Sequence, residues 1–291
     1  MRHLVFRMYR RLARFLAAPL VAESFLRRST GLEYGIGLCD KCGLTRQMRR
    51  ITDRIIGATG YGEHLLLASY LLSISPSVPG VVVECGCFKG RSTATLSLLC
   101  EMTNRQLIVF DSFEGLPDVA ADDRAHVTLL HDRYEVYKKG DYTGTLDEVQ
   151  AHVREFGCID RCRFIKGYFE DSLPHFHDPA AFVFLDVDLH ESLKTCLRYL
   201  WPLLHDQGYL FTHEATQLDF AAKFFDRDWW RREMACEPPG LVGAGCGLPS
   251  GIATGSGLGY TRKRPLSGLT SGNRSLSEFC GDPTQICNKL S

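Results

Sequence analysis

The 291-residue chain has no excess charge of either sign: 34 lysines and arginines balance 34 aspartates and glutamates. That balance excludes bulk attraction to nucleic acid and leaves any preference for a membrane or an anion to local patches. A small-molecule or glycan-like partner suits it better. No apolar run is long enough to cross a bilayer, because the stretch from Phe15 to Leu20 is short and Glu23 soon interrupts it. Neither a transmembrane helix nor a clear signal peptide is expected, and a cytoplasmic location is. Cys39-Asp-Lys-Cys42 lacks the second C-x-x-C or H-x-H that would complete a zinc site, so free thiols are expected there. The 12 cysteines include Cys85, Cys87, Cys100 and Cys196 at strand ends and in helices, which is not the layout of a disulfide framework.

Two phosphate-binding signatures are also missing. After the β-branched run Val81 to Val83, the turn Glu84-Cys85-Gly86-Cys87-Phe88-Lys89-Gly90 has Cys87 where a dinucleotide loop needs its second glycine. Lys89 is followed by Gly90 and Arg91 rather than by Ser or Thr, so it is not a nucleotide-triphosphate loop either. This disfavours a nicotinamide dehydrogenase. The pattern is still that of a buried parallel strand entering a glycine turn and a helix from Ser92 to Glu101. The carboxylate of Glu84 repels phosphate and favours a ligand with an ammonium or sulfonium centre. S-adenosylmethionine carries both.

Further strands are predicted at Gln106 to Phe110, Cys162 to Ile165, Ala181 to Leu185 and Tyr209 to Thr212, giving a doubly wound α/β sheet. Asp111, at the end of the second strand, is placed to accept both hydroxyls of a ribose. Thr145-Leu146-Asp147-Glu148 is a capping box opening a helix that stops at Gly157. Gly167 with Tyr168 or Phe169 offers close approach and a flat face for a purine, with core packing as the competing reading of the aromatics. From Gln47 to Ile74 the apolar spacing is helical, broken by Gly57 to Gly62, either a lid or an ordinary turn. A helix is expected over Leu218 to Met234, followed by a terminal strand pair from the segments Gly240 to Gly247 and Gly255 to Arg262. The segments expected are 1–50, a helical extension; 51–264, the main domain; and 265–291, a disordered tail. The arginine-rich start can form an amphipathic helix that either touches an anionic membrane surface or packs on its own domain or a partner subunit.

Asp186, Asp188, His213 and Glu214 end two strands expected to lie side by side. Three carboxylates and an imidazole there have a metal-site composition: the oxygens favour Mg²⁺, Mn²⁺ or Ca²⁺, and the imidazole shifts the preference toward Mn²⁺, Fe²⁺ or Zn²⁺. The alternative is that the aspartates cap the next helix and His213 bonds locally.

The order of elements and several motifs resemble the macrocin O-methyltransferase family of S-adenosylmethionine-dependent enzymes over about residues 51 to 262. The motifs are Val83-Glu84-Cys85-Gly86 with Gly90, Asp111 to Pro117 (DSFEGLP), Lys166 to Pro174 (KGYFEDSLP) and Leu185 to Ser192 (LDVDLHES). The resemblance implies a Rossmann-like methyltransferase sheet, mostly parallel with a terminal antiparallel strand and helices on both faces. It implies that Glu84, Gly86, Gly90 and Ser92 hold the methionine end of S-adenosylmethionine, Asp111 and Ser112 the ribose, and Gly167 and Tyr168 the adenine, with Asp186 nearby. Asp186 would be the first ligand of a divalent cation, Mg or Mn. His213 and Glu214 stand where the family has an Asp-Asp pair, and would complete the metal site. The activity implied is methyl transfer to a hydroxyl of a sugar-containing small molecule, with His213 as base and Asp186 and His190 assisting. A cofactor-binding protein with a scaffold or partner role is the alternative, and a homo-oligomer is compatible with either.

Overall fold

The computed structural model describes residues 22–120, 123, 127–130, 133–250 and 256–263. The first 21 residues and the segment expected to be a tail lie outside them. A six-stranded sheet runs in the order β5-β2-β1-β6-β7-β8. Its members are β1 (Val81–Cys85), β2 (Leu107–Asp111), β5 (Cys162–Lys166), β6 (Ala180–Leu185), β7 (Leu204–Thr212) and β8 (Gly259–Arg262). Every pairing is parallel except that of β8 on β7. The expected sheet is therefore present, with its antiparallel edge strand.

Both faces are buried, and the period of two along each strand divides the side chains between them. Val82, Leu107, Val109, Phe182, Phe184 and Phe211 pack in one core, against helices α1 (Leu38–Arg54), α2 (Tyr61–Leu71), α3 (Arg91–Thr103) and α4 (Leu146–Phe156). Val83, Cys85, Ile108, Phe110, Val183 and Leu185 pack in the other, beneath α5 (Phe169–Ser172), α6 (His190–Leu203), α7 (Leu218–Lys223) and α8 (Arg227–Met234). The boundary expected at 50/51 falls inside α1, whose Met48 and Ile51 are both fully buried in the first core.

Some local expectations need correction. The single helix expected over 218–234 is two, because Asp226 takes extended backbone and caps α8 by accepting from Trp229 N at 3.0 Å. The terminal strand pair reduces to β8 and an isolated bridge between Val242 and Tyr260. The polar span after β2 holds an unforeseen hairpin, β3 (Val127–Leu130) with β4 (Arg133–Val136). Thr145 caps α4 through Glu148 N at 3.3 Å, but the Glu148 carboxylate goes to Lys89 Nζ at 2.9 Å, so the reciprocal half of the capping box is not made. Cys39 and Cys42 are exposed free thiols. Among the described residues no helix is long and apolar enough to cross a membrane.

Candidate active site

Strand order reverses between β1 and β6, and in doubly wound sheets that switch point opens a crevice at the carboxyl ends of the strands. A cavity of about 290 Å³ sits there. Gly86, Ser92, Asp111, Ser112, Gly167, Tyr168, Asp186 and His213 are all on its wall, brought together from five separate strand ends and the first turn of α3.

The β1 turn is locked to its neighbours by backbone. Gly86 N donates to Phe110 O at 3.0 Å and Asp186 N to Cys85 O at 2.9 Å. The Asp111 carboxylate accepts from Cys87 N and from Phe113 N, each at 2.7 Å, so it is fixed in place with lone pairs to spare. Burial raises its pKa. Ser112 is less available, since its hydroxyl donates to Gly115 O at 2.7 Å to close the following turn. Gly90 lies off the wall; it caps α3 with φ of +81°, and its Cα faces Val149.

Glu84 is also off the wall. Its position on β1 turns it toward the N-terminus of α3, where it is fully buried and neither oxygen has a hydrogen-bond partner. Burial pushes its pKa up to about 8; the nearby Ser92 and Thr93 hydroxyls oppose this, while the charges of Asp186 and Asp111 add to it. The turn thus carries an anionic potential from the Asp111 and Asp186 carboxylates on the wall. A cationic ligand with a diol matches that donor set, and the N-terminus of α3 opens on the same cavity for a carboxylate.

The glycine-rich break ahead of β1 forms another wall through Gly57, Ala58 and Thr59. It is tied to α3. Arg91 donates to the carbonyls of Ile55, Gly57 and Thr59 at 2.6, 2.7 and 2.9 Å. His64, fully buried, bridges Thr59 Oγ1 and Thr95 Oγ1 at 3.0 and 2.7 Å. Burial, reinforced by Arg91, lowers the His64 pKa to about 3, so this ring is neutral.

At the opposite end Asp188 lines the cavity and accepts from Tyr137 Oη at 3.1 Å. Burial and the charges of Asp186 and Glu214 raise its pKa to about 8. Phe88, Tyr142 and Asp188 all have left-handed backbone, at φ of 47°, 58° and 59°, which concentrates conformational cost on this wall. Phe88 meets Tyr142 edge to face at 5.6 Å, and Tyr142 meets Tyr137 at 6.2 Å. The sequence did not single out Tyr137 or Tyr142, which sit in the span read only as polar.

The donor set expected for a metal does not assemble. His213 Nδ1 faces Asp186 Oδ1 at 3.3 Å and Nε2 faces Glu63 Oε1 at 3.2 Å, so both ring nitrogens point at carboxylates. Burial lowers the ring's pKa, but the two carboxylates outweigh it and leave it well above the usual histidine range. Each ring nitrogen is thus engaged by a carboxylate and not held open for a metal. Glu214 is buried off the wall, where Oε1 accepts from Val187 N at 2.8 Å and Asp188 N at 3.3 Å and Oε2 accepts from the Thr212 hydroxyl. It braces the 186–188 loop. His190, expected to assist catalysis, lies off the wall with Nδ1 on Asp123 Oδ1 at 2.6 Å and its ring 4.0 Å from that of Phe220. Among the described residues no three His, Cys, Asp or Glu side chains converge on a metal position.

Sheet order, the antiparallel edge strand and a cavity at the switch point define the Rossmann-like methyltransferase fold. An O-methyltransferase structure, NovP, shares it with a TM-score of 0.51 at 20% identity, over 87% of this chain and 98% of that one. The chain belongs to the macrocin-O-methyltransferase (TylF) family, whose model matches residues 70–234. One relative is the 8-demethyl-8-(2,3-dimethoxy-alpha-L-rhamnosyl)-tetracenomycin-C 4'-O-methyltransferase of Streptomyces olivaceus, 33% identical over 144 residues, or 47% of this chain and 53% of that protein. Another is the demethyldecarbamoylnovobiocin O-methyltransferase of Streptomyces niveus, 31% identical over 148 residues, or 48% of this chain and 55% of that protein. The matches span about half the length of these relatives.

Proposed function

We propose that the chain transfers a methyl group from S-adenosylmethionine to a hydroxyl of a sugar-bearing small molecule. The observation that carries this is one cavity lined both by the fixed Asp111 and by the half-buried Asp188. When bound, S-adenosylmethionine supplies an electrophilic methyl on a sulfonium. Asp111 would accept the ribose hydroxyls, Gly167 and Tyr168 would border the adenine, and the Gly86 turn with Ser92 would receive the methionine end.

The chain's own contribution to catalysis is position and a proton acceptor. Asp188 holds the proton leaving the acceptor hydroxyl, and its raised pKa makes its basicity a better match to that task than an ordinary aspartate's. Glu214 keeps the Asp188 backbone in its left-handed conformation, so it positions the base without touching substrate. Tyr137, Tyr142 and Phe88 offer aromatic faces and edges suited to the C–H face of a sugar ring. Gln217 adds a buried carbonyl oxygen with no protein partner on the same wall, which suits a neighbouring hydroxyl. The relatives named above act on rhamnosyl-bearing and novobiocin-type compounds, which supports a glycosylated acceptor.

Titration calorimetry with S-adenosylmethionine and S-adenosylhomocysteine tests the cofactor half, and radiolabelled methyl transfer to a panel of deoxysugar glycosides tests the acceptor half. Absence of binding by both cofactor forms at about 1 mM would end the reading, since working sites of this kind bind far tighter.

A further inference from the structure

We infer that the His213 ring fills the place a divalent cation would occupy, so that the strand-end residues of this chain hold no metal and methyl transfer proceeds without one. The inference rests on the methyl-transfer reading for its effect on turnover, and on geometry alone for the exclusion of the metal.

Three relationships carry it. Asp186, the carboxylate best placed to ligate an ion on the cavity wall, spends Oδ1 on His213 Nδ1 at 3.3 Å. The other ring nitrogen spends its hydrogen on Glu63 Oε1 at 3.2 Å. Of the remaining candidate ligands, Glu214 is turned away to hold Val187 N and Asp188 N, and Asp188 Oδ1 accepts from Tyr137 Oη at 3.1 Å.

The ring is also held in place from outside. Glu63 accepts from Gly60 N at 2.6 Å and from Gly257 N at 2.9 Å, which fixes the carboxylate that receives Nε2. Gly257 packs on the ring so closely that a Cβ there would lie 3.0 Å from Nε2. The clasp Asp186–His213–Glu63 therefore joins the ends of β6 and β7 to the start of α2, with the ring on the cavity wall.

The test is Mn²⁺ binding to the full chain, read by electron paramagnetic resonance and by calorimetry, with and without S-adenosylhomocysteine. Wild type is expected to bind no Mn²⁺ at about 1 mM, and His213→Asp, which rebuilds an acidic pair beside Asp186, to bind it about tenfold tighter than that. Circular dichroism and S-adenosylhomocysteine binding establish that the variant is folded. Methyl transfer by wild type is expected to be unchanged within about twofold by EDTA. Mn²⁺ bound by wild type and lost in Asp186→Asn would overturn the inference, as would a folded His213→Asp that stays silent to Mn²⁺. Failure of the methyl-transfer reading would show separately, as absent S-adenosylhomocysteine binding, and the wild-type Mn²⁺ measurement decides the clasp in either case.

Discussion

The hydroxyl of Tyr137 donates to Oδ1 of Asp188 at 3.1 Å, tying the segment after the β3-β4 hairpin to the loop that follows β6. This bond favours the ionised carboxylate and so lowers a pKa that burial has raised to about 8. An Asp188 base works only when ionised, so the rate should climb with pH and level off above about 8. Asp188→Asn should cut kcat/KM by about 100-fold or more while leaving S-adenosylhomocysteine affinity intact. Tyr137→Phe should move the ascending limb of the pH profile to higher pH. A profile that does not shift would remove Tyr137 from the proton path.

Glu84 makes a stability prediction of definite sign. Its folded pKa of about 8 exceeds the ordinary value of 4.5, so the folded state holds the proton more tightly than the unfolded chain does. The stabilisation is fully present below about pH 4.5 and is lost as pH rises through 8, an effect of a few kcal/mol for a fully buried group. Thermal melts at pH 6 and pH 9 should therefore show a larger fall for wild type than for Glu84→Gln. Equal falls would show that Glu84 is not the buried acid responsible.

Arg91 predicts what holds the wall beside the β1 turn. Its guanidinium meets the carbonyls of Ile55, Gly57 and Thr59, which no ammonium could reach together from the same stem. Arg91→Ala should raise amide hydrogen exchange across residues 55–60 and weaken S-adenosylhomocysteine binding by about tenfold, and Arg91→Lys should not restore either. Rescue by lysine would mean that charge, and not the fork of donors, is what matters.

These elements differ in how far the sequence discloses them. Strands β1, β2 and β6 were legible because each is an apolar run stopped by an acid or a glycine, and Asp111, Asp186 and Gly167 were legible as cavity residues because each stands at the carboxyl end of a strand. The state of His213 was not, because its partner Glu63 is 150 residues away, and no local pattern says whether a ring nitrogen is free. Glu63 did leave a trace: it lies three residues after Gly60 and closes a turn on Gly60 N, a spacing that marks a helix start and hides a second role. Glu84 was read correctly as a buried strand-end acid, but alternation along β1 sends it behind the wall and not onto it. Tyr137 and Tyr142 reach the cavity from the span after β4, a placement that charge and polarity along that span do not encode.

Gly86 and Gly167 separate two reasons for a glycine on the cavity wall. Both have positive φ, 82° and 149°, so alanine at either carries a conformational cost of about 1–2 kcal/mol. At Gly167 the nearest heavy atom to an added Cβ would be Ser172 Cβ at 3.5 Å, an ordinary contact. At Gly86 the added Cβ would overlap the carbonyl oxygen of Asp186. That oxygen cannot move aside, because Asp186 N is bonded to Cys85 O and Gly86 N to Phe110 O, stitching β1 to β6 on one side and β2 on the other. Relief would require opening the sheet at its switch point, where the cavity itself is formed. Gly86→Ala is therefore expected to lose more than about 3 kcal/mol in urea melts and all detectable S-adenosylhomocysteine binding, whereas Gly167→Ala should fold and lose affinity only modestly. If the two variants instead lose equal stability, the close approach of the β1 turn to Asp186 is not what makes Gly86 necessary.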